Sequence, residues 1–526
     1  MERNWAPGPK GHMTGITLVA AALMLAAPLW CVWAPAMPDY PAHLASFALI
    51  EDGLKAGAGG TGNAIYHLHW DFVPNLASEV LVPWLARLTG LVMATKLFLT
   101  TAIFLWVLGP GAVHRALYGR TGIAPLFGSF FAYNANFTWG FFNYYFSAGL
   151  SFAIFAAWIA TEKRNGAIRL AAFTLAVTLL YFCHVFAAAS LLLMLAGFEV
   201  AQNVRLENRN IPALVKRAVH VALLYIPAGL AFLFLKPHDA GDEAVVFDLV
   251  DTMLDRFESL VQHAFDDSAY VLPIALFAGL AAALYFRKAR IHPAMWGTLG
   301  LLLLGAIFAP EWAFGGWAVH LRLPAVFGAM LFASTELPMK IATRTTLVAL
   351  ALAVIGWCAV TLAQSWLIYD RQFREFQAAL EEVPRGSRML TVLDGNAIGE
   401  RPDQPYWHMA EFAVPERGVF TPLLFTTKGQ HVVQLNPPYQ KYAAASAQQG
   451  SPPDVDELQS LAQGQLNADE NIQDMTYLDH FQCHFDIAVV VHLDGKRTPV
   501  PAMLRLRHAG TFFSFYDILP DRSCRR

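Results

Sequence analysis

Asp39 stands in Pro38-Asp39-Tyr40-Pro41-Ala42-His43, directly after the first long apolar run of the chain. A carboxylate at a membrane boundary meets a low dielectric that raises its pKa, so it can take the proton of an acceptor hydroxyl as a general base. Its place two residues before Pro41 also suits a plain helix start. His43 follows four residues later and shares a face with Asp39 if the helix begins there. It could be a second acid/base group, a phosphate ligand or a polar interfacial histidine. The run His67-Leu68-His69-Trp70-Asp71 holds two histidines, a tryptophan and a carboxylate. An aromatic face stacks on a sugar, a carboxylate accepts hydroxyl protons, and His67 and His69 point the same way on a strand. Zinc would need further ligands at suitable spacing, which are missing.

Arg322 is the strongest cation signal, in Trp317-Ala318-Val319-His320-Leu321-Arg322-Leu323-Pro324 near the end of an apolar run. An arginine there is costly unless it is paired, faces a polar cavity or snorkels to the headgroups. Its fork suits a phosphate or pyrophosphate. His320, Glu311 and Trp312 lie close enough in sequence to join it. Asn134, Asn136, Asn143, Tyr144 and Tyr145 form a polar cluster in an aromatic-rich run that could line a cavity, and His184 sits between two spans.

These residues must be held by a membrane protein. The 526 residues are 56% hydrophobic and 15% charged, where soluble domains carry about 25% charged residues. A net charge of −3 implies no nucleic-acid partner. Eleven spans are predicted near 14–34, 91–107, 123–137, 140–160, 168–183, 185–202, 218–235, 269–286, 293–308, 317–332 and 347–367. The amphipathic stretch 76–88 reads as interfacial or as a lead-in to the second span. Two outer loops are long, 36–75 and the acidic 236–268, which reads as a solvated, partly helical loop.

Lys and Arg crowd one alternate set of loops, among them Arg115, Arg120, Arg205, Arg217, Arg287 and Arg344. The opposite set holds only Lys55, Arg87, Lys96, Lys236 and Arg256. The positive-inside rule then puts residues 1–13 in the cytoplasm, the transmembrane part at 14–368 and the tail 369–526 outside the plasma (inner) membrane. That tail reads as a small α/β domain, with strands at 388–393, 431–435, 485–492 and 512–518 and a helix at 454–466. Residues 370–383 read as a helical stalk. Cys31, Cys183 and Cys358 lie in apolar runs as small hydrophobes. Cys483 and Cys524 could pair if the tail meets an oxidising compartment, although spacing does not decide it.

A carboxylate just after the first span, a helical first outer loop, about eleven spans and an outer C-terminal domain together resemble the GT-C superfamily of bacterial integral membrane glycosyltransferases. The resemblance implies a polytopic α-helical GT-C-like fold and hexosyl or pentosyl transfer from a polyprenyl-phosphate-linked sugar to an extracytoplasmic glycan, lipid or protein. It implies that Asp39 activates or positions the acceptor and that Arg322 holds the donor phosphate. The chain departs from the common acidic pair, because Tyr40 follows Asp39. That leaves a divalent metal undecided and asks His43 or Asp71 for the second function. Two other readings compete: a transporter or flippase of a lipid-linked glycan, and a non-catalytic envelope assembly subunit. A transporter would need polar groups deep in several spans and would often carry a repeat, whereas the polar groups here concentrate at one face.

Overall fold

A computed structural model describes residues 12–526 apart from 57–63, 163, 207–209, 236–244, 251, 262–270, 315, 396–404, 444–451, 464–476, 494, 496, 521–523 and 525–526. Much of the acidic loop 236–268 and residues 1–11 therefore lie outside the described residues.

The helices that build the bundle follow the apolar runs. They are α1 (His12–Cys31), α4 (Leu91–Tyr118), α7 (Phe142–Ala160), α8 (Gly166–Cys183), α9 (Val185–Leu206), α13 (Val271–Tyr285), α14 (Trp296–Phe308), α15 (Leu323–Ala333) and α16 (Ile341–Ala379). The helices α10 (Ile211–Leu224) and α11 (Ile226–Phe234) form one pass bent by 50°. Five described helices are long and apolar enough to cross a membrane, the bent pair makes a sixth, and four further apolar helices are shorter.

The segment expected as a straight span at 123–137 is instead broken. It forms α5 (Ala124–Gly128), a 3-10 turn at Ser129–Ala132 and α6 (Ala135–Trp139). The Asn134 side chain accepts from the Asn136 amide at 2.9 Å and starts α6 anew. Nearly all of this stretch is buried, the setting in which irregular backbone is tolerated at membrane depth. The span expected at 317–332 is likewise helical only from Leu323. Counting the broken segment and the bent pair once each, the described residues hold eleven apolar segments, of which six are long enough to cross a membrane.

Close helix contacts use small residues, as membrane bundles do. A Cβ on Gly297 would lie 2.0 Å from the Gly197 carbonyl oxygen, so α9 and α14 can touch only with glycine at that crossing. The end of the bundle rich in Arg is tied by Arg120 and His114 to Glu336, at 2.5 and 3.4 Å.

The opposite end carries the C-terminal domain. At 39 residues, α16 is about 58 Å long at 1.5 Å per residue, roughly twice a bilayer core. It therefore runs on as the expected stalk. Asp370 fixes its exit, accepting from the Trp33 amide at 2.5 Å and from Arg374 at 2.8 Å. The domain's main sheet has the order β4-β6-β8-β7, from β4 (Met389–Asp394), β6 (Ile487–His492), β7 (Leu504–Ala509) and β8 (Phe513–Ile518). Strands β4 and β6 are parallel and the other pairs antiparallel. The helix expected at 454–466 forms over Val455–Ala462 behind an Asp454/Glu457 capping box.

A second, two-stranded sheet pairs β1 (Tyr66–Leu68) with β5 (Val433–Leu435), antiparallel, with Tyr66 opposite Leu435. It joins the first outer loop to the C-terminal domain. The first loop also forms α2 (Tyr40–Ala56) and α3 (Ala77–Thr89). The latter buries Val82 and Ala86 and exposes Leu81, Trp84 and Leu88, the profile of an interfacial helix.

Three strands of the main sheet are linked by a buried polar chain. His492 Nδ1 lies 2.6 Å from Asp394 Oδ2, and its Nε2 lies 3.0 Å from Ser514 Oγ. The Thr498 amide donates to the same Asp394 oxygen at 3.0 Å. His492→Ala would leave that carboxylate buried without its imidazole. We expect a loss of about 3–5 kcal/mol, read as a melting temperature several degrees below wild type. An unchanged melting temperature would show that the chain adds nothing to stability.

Candidate active site

Asp39 lies where the first loop enters α2, between the bundle and the C-terminal domain. Its amide donates to the Trp139 carbonyl at 3.1 Å, and its carbonyl accepts from the His43 amide at 3.0 Å. Gly140, at φ +93°, turns the chain closely past it: a Cβ there would stand 3.2 Å from Asp39 Cβ. The backbone of Asp39 thus begins a helix. Among the described residues its carboxylate accepts no hydrogen bond from that first turn, so the side chain is left for another role. It is 16% exposed, nearly enclosed yet reachable. Burial raises its carboxyl to about 6, against the opposing charges of His408, His431 and Arg322.

The C-terminal domain closes over Asp39. His408 Nε2 lies 3.9 Å from Asp39 Oδ1, and His408 Nδ1 lies 3.7 Å from Glu411 Oε1. Burial works against a charge on His408, but Glu411 and Asp39 outweigh it and its pKa is raised. His43 packs flat on Phe142, with ring centres 4.6 Å apart, and meets the edge of Phe425 at 5.2 Å. Burial, with His431 and His408 nearby, lowers His43 to about 3. His43 is therefore neutral and aromatic in its packing, which does not suit it to hold a phosphate by charge.

Phe425 also stacks on His431 at 5.4 Å. His431 Nδ1 lies 3.1 Å from Glu79 Oε1, and the Val432 amide donates to Glu79 Oε2 at 3.2 Å. Glu79 is thus a buried tie between α3 and the C-terminal domain.

Arg322 is 8% exposed at the start of α15. Its Nη1 lies 3.0 Å from His184 Nε2, and Nη2 donates to the Trp317 carbonyl at 3.1 Å. Phe186, Tyr144 and Phe141 surround the guanidinium at 4.8, 5.1 and 5.4 Å, a cation–π cage. Tyr144 steadies it by donating to the Arg322 carbonyl at 2.6 Å. Among the described residues no carboxylate lies within ion-pair distance of Arg322, and its Nε is buried without a partner. Arg322 nonetheless acts on the charge of Asp39. Asp39 and Arg322 are thus two enclosed charges with no ion pair between them.

The other residues singled out from the sequence fall elsewhere. His69 and Asp71 pair with each other at 3.1 Å, and Trp70 beside them is 44% exposed. His67 lies in β1 opposite Gln434, its Nδ1 buried. Among the described residues none of these four touches Asp39, His408 or Arg322. Asn143 does not face the site: its Oδ1 accepts from the Ser78 amide at 2.6 Å and its Nδ2 donates to the Asn75 carbonyl at 2.9 Å, holding the start of α3. Asn136 donates to the Leu321 carbonyl at 3.1 Å and is structural too. Glu311 accepts from Trp317 at 3.2 Å and orders the loop that presents Arg322. His320 is buried in that loop, with Nδ1 unpartnered. The sequence reading missed His408, Glu411, His431 and Glu79. Only Glu79 left a signal, an acid on the face of α3 that buries Val82 and Ala86. Among the described residues no group of three or more His, Cys, Asp or Glu is placed to hold a metal ion.

No protein-family model and no curated protein matches the sequence. Among solved structures the chain is similar to ArnT from Cupriavidus metallidurans. The structure of that protein bound to undecaprenyl phosphate aligns at TM-score 0.45 and 12% identity over 97% of both chains. Its apo state aligns at TM-score 0.46 with the same identity and coverage. At these values the likeness is one of layout alone, and the functional reading rests on the residues of this chain.

Proposed function

We propose that this chain is a membrane glycosyltransferase of the GT-C type, moving a sugar from a polyprenyl phosphate to an acceptor hydroxyl on the extracytoplasmic face. The observations that carry the reading are a carboxylate, Asp39, nearly enclosed beneath His408, and a guanidinium, Arg322, buried in an aromatic cage with no carboxylate within ion-pair distance among the described residues. A buried guanidinium without an anion of its own is costly and is offset when an anionic ligand arrives. The head of α15 offers it to a phosphate whose lipid tail stays in the membrane.

In the reaction Asp39 takes the proton of the acceptor hydroxyl, and that oxygen bonds to the anomeric carbon. The bond from that carbon to the phosphate oxygen breaks, and its electron pair leaves on the lipid phosphate. Arg322 stabilises the charge that develops there. The test is a map of lipid-linked sugars and surface glycans in cells with wild-type protein, without it, or with Asp39→Asn. Deletion and Asp39→Asn should both accumulate one lipid-phosphate sugar and lose one glycan modification. Wild-type glycans with Asp39→Asn, against a deletion phenotype, would favour transport or scaffolding.

The extracytoplasmic placement is supported by the Cys483–Cys524 disulfide, whose cysteines lie 41 residues apart, because such bonds persist in oxidising compartments. A loop of that size is worth about 4 kcal/mol by chain entropy. Both thiols should resist alkylation in intact cells until reduced, and reduction should lower the melting temperature. Two freely alkylated thiols in native membranes would turn the domain toward the cytoplasm.

A further inference from the structure

We propose that His408, held charged by Glu411, is the counter-charge that keeps Asp39 ionised, so that the C-terminal domain completes the acceptor-activating site. This deepens the reading above and rests on Asp39 being the base. The geometry is a row of three groups: Asp39 on the Nε2 side of the imidazole at 3.9 Å and Glu411 on the Nδ1 side at 3.7 Å. Glu411 is 0% exposed, and among the described residues neither of its oxygens finds a hydrogen-bond donor. A carboxylate held that way is expensive to keep charged, and the cation within ion-pair distance of it is His408.

An imidazolium between two carboxylates balances the charge of both without a hydrogen bond to Glu411, and leaves Asp39 poised as a carboxylate where burial would otherwise protonate it. The other groups facing Asp39 do not replace His408. His43 on α2 is neutral, His431 is occupied by Glu79, and Arg322 on α15 lies beyond ion-pair distance. At these separations His408 acts on Asp39 through space and is a positioning residue for its charge.

The experiment follows the carboxyl of Asp39 by its infrared C=O band in purified full-length protein. Each pH titration is subtracted from that of the same background carrying Asp39→Asn. The wild-type midpoint should fall at about 6. In His408→Gln it should rise by about one pH unit or more, the usual effect of losing an opposite charge at this range. Glu411→Gln keeps the imidazole in place and should move the midpoint the same way by less. It also carries the test if His408→Gln fails to fold. A midpoint unmoved in the folded variants overturns the proposal. The glycan map decides the underlying reading separately. Intact glycans with Asp39→Asn would end the role of Asp39 as base, whatever sets its charge.

Discussion

Asp39→Asn should lower sugar transfer by about two to four orders of magnitude, the usual share of a general base, and should make the folded protein more stable at neutral pH. The second expectation separates a catalytic carboxylate from a helix cap. Loss of a capping side chain costs about 1 kcal/mol, whereas Asp39 works against the fold as an ion. Its carboxyl sits at about 6 in the folded protein against 3.8 for the free group. The folded state therefore holds a proton that the unfolded chain gives up. A raised carboxyl favours the fold fully below 3.8, and that advantage is lost as pH rises through about 6. The span between the two values amounts to about 3 kcal/mol as an upper bound, and Asn does not titrate. Melting curves of wild type and Asp39→Asn should thus diverge above pH 6, with the variant higher, and converge below pH 4. Transfer by the wild type should rise with pH through about 6. A variant that melts lower at pH 8 would return Asp39 to the role of a cap.

Much of the fold could be read in the sequence because bilayer length and charge placement are local properties. The long apolar helices, the extension of α16 and the amphipathic helix α3 all follow from windows of adjacent residues. The broken segment around Asn134 escaped because average hydropathy over 123–137 hides a kink made by a single capping side chain. Strand β7 escaped because it is a charged edge. Arg505 and Arg507 both pair with Asp517 on β8, which blunts the edge and erases the apolar alternation.

The site divides the same way. Asp39 and Arg322 stood out in the sequence as candidates because each is an ionisable group beside an apolar run. Their partners were not, because they come from the distant domain: Glu79 and His431 are 352 residues apart. No sequence window spans that distance, and the two-stranded sheet that brings the domain down on the first loop has only three residues on each side. Asp71, with its aromatic and histidine neighbours, had the better local pattern for a second carboxylate. The buried carboxylates around the site are instead Glu411 and Glu79.

Arg322→Met should abolish the response to a lipid phosphate and cut transfer by about two to three orders of magnitude, the scale of removing one stabiliser of developing charge. The side chain is unbranched and apolar but ends near the position of the arginine Nε, short of the point that Phe186, Tyr144 and Phe141 surround. It removes a buried charge that no carboxylate in the described structure balances. It also leaves His184 Nε2 and the Trp317 carbonyl without their donor, so the two effects oppose each other. The apo melting temperature should stay near that of wild type. An added polyprenyl phosphate should raise the wild-type melting temperature by binding linkage and leave Arg322→Met where it was. Arg322→Lys should recover little of either property. An ammonium cannot present the guanidinium fork or spread its charge over three ring faces, and its shorter set of donors cannot serve His184, Trp317 and a phosphate together. An undiminished shift in Arg322→Met would move the phosphate away from α15, and with it the reason for keeping among aromatic rings an arginine that no carboxylate pairs with among the described residues.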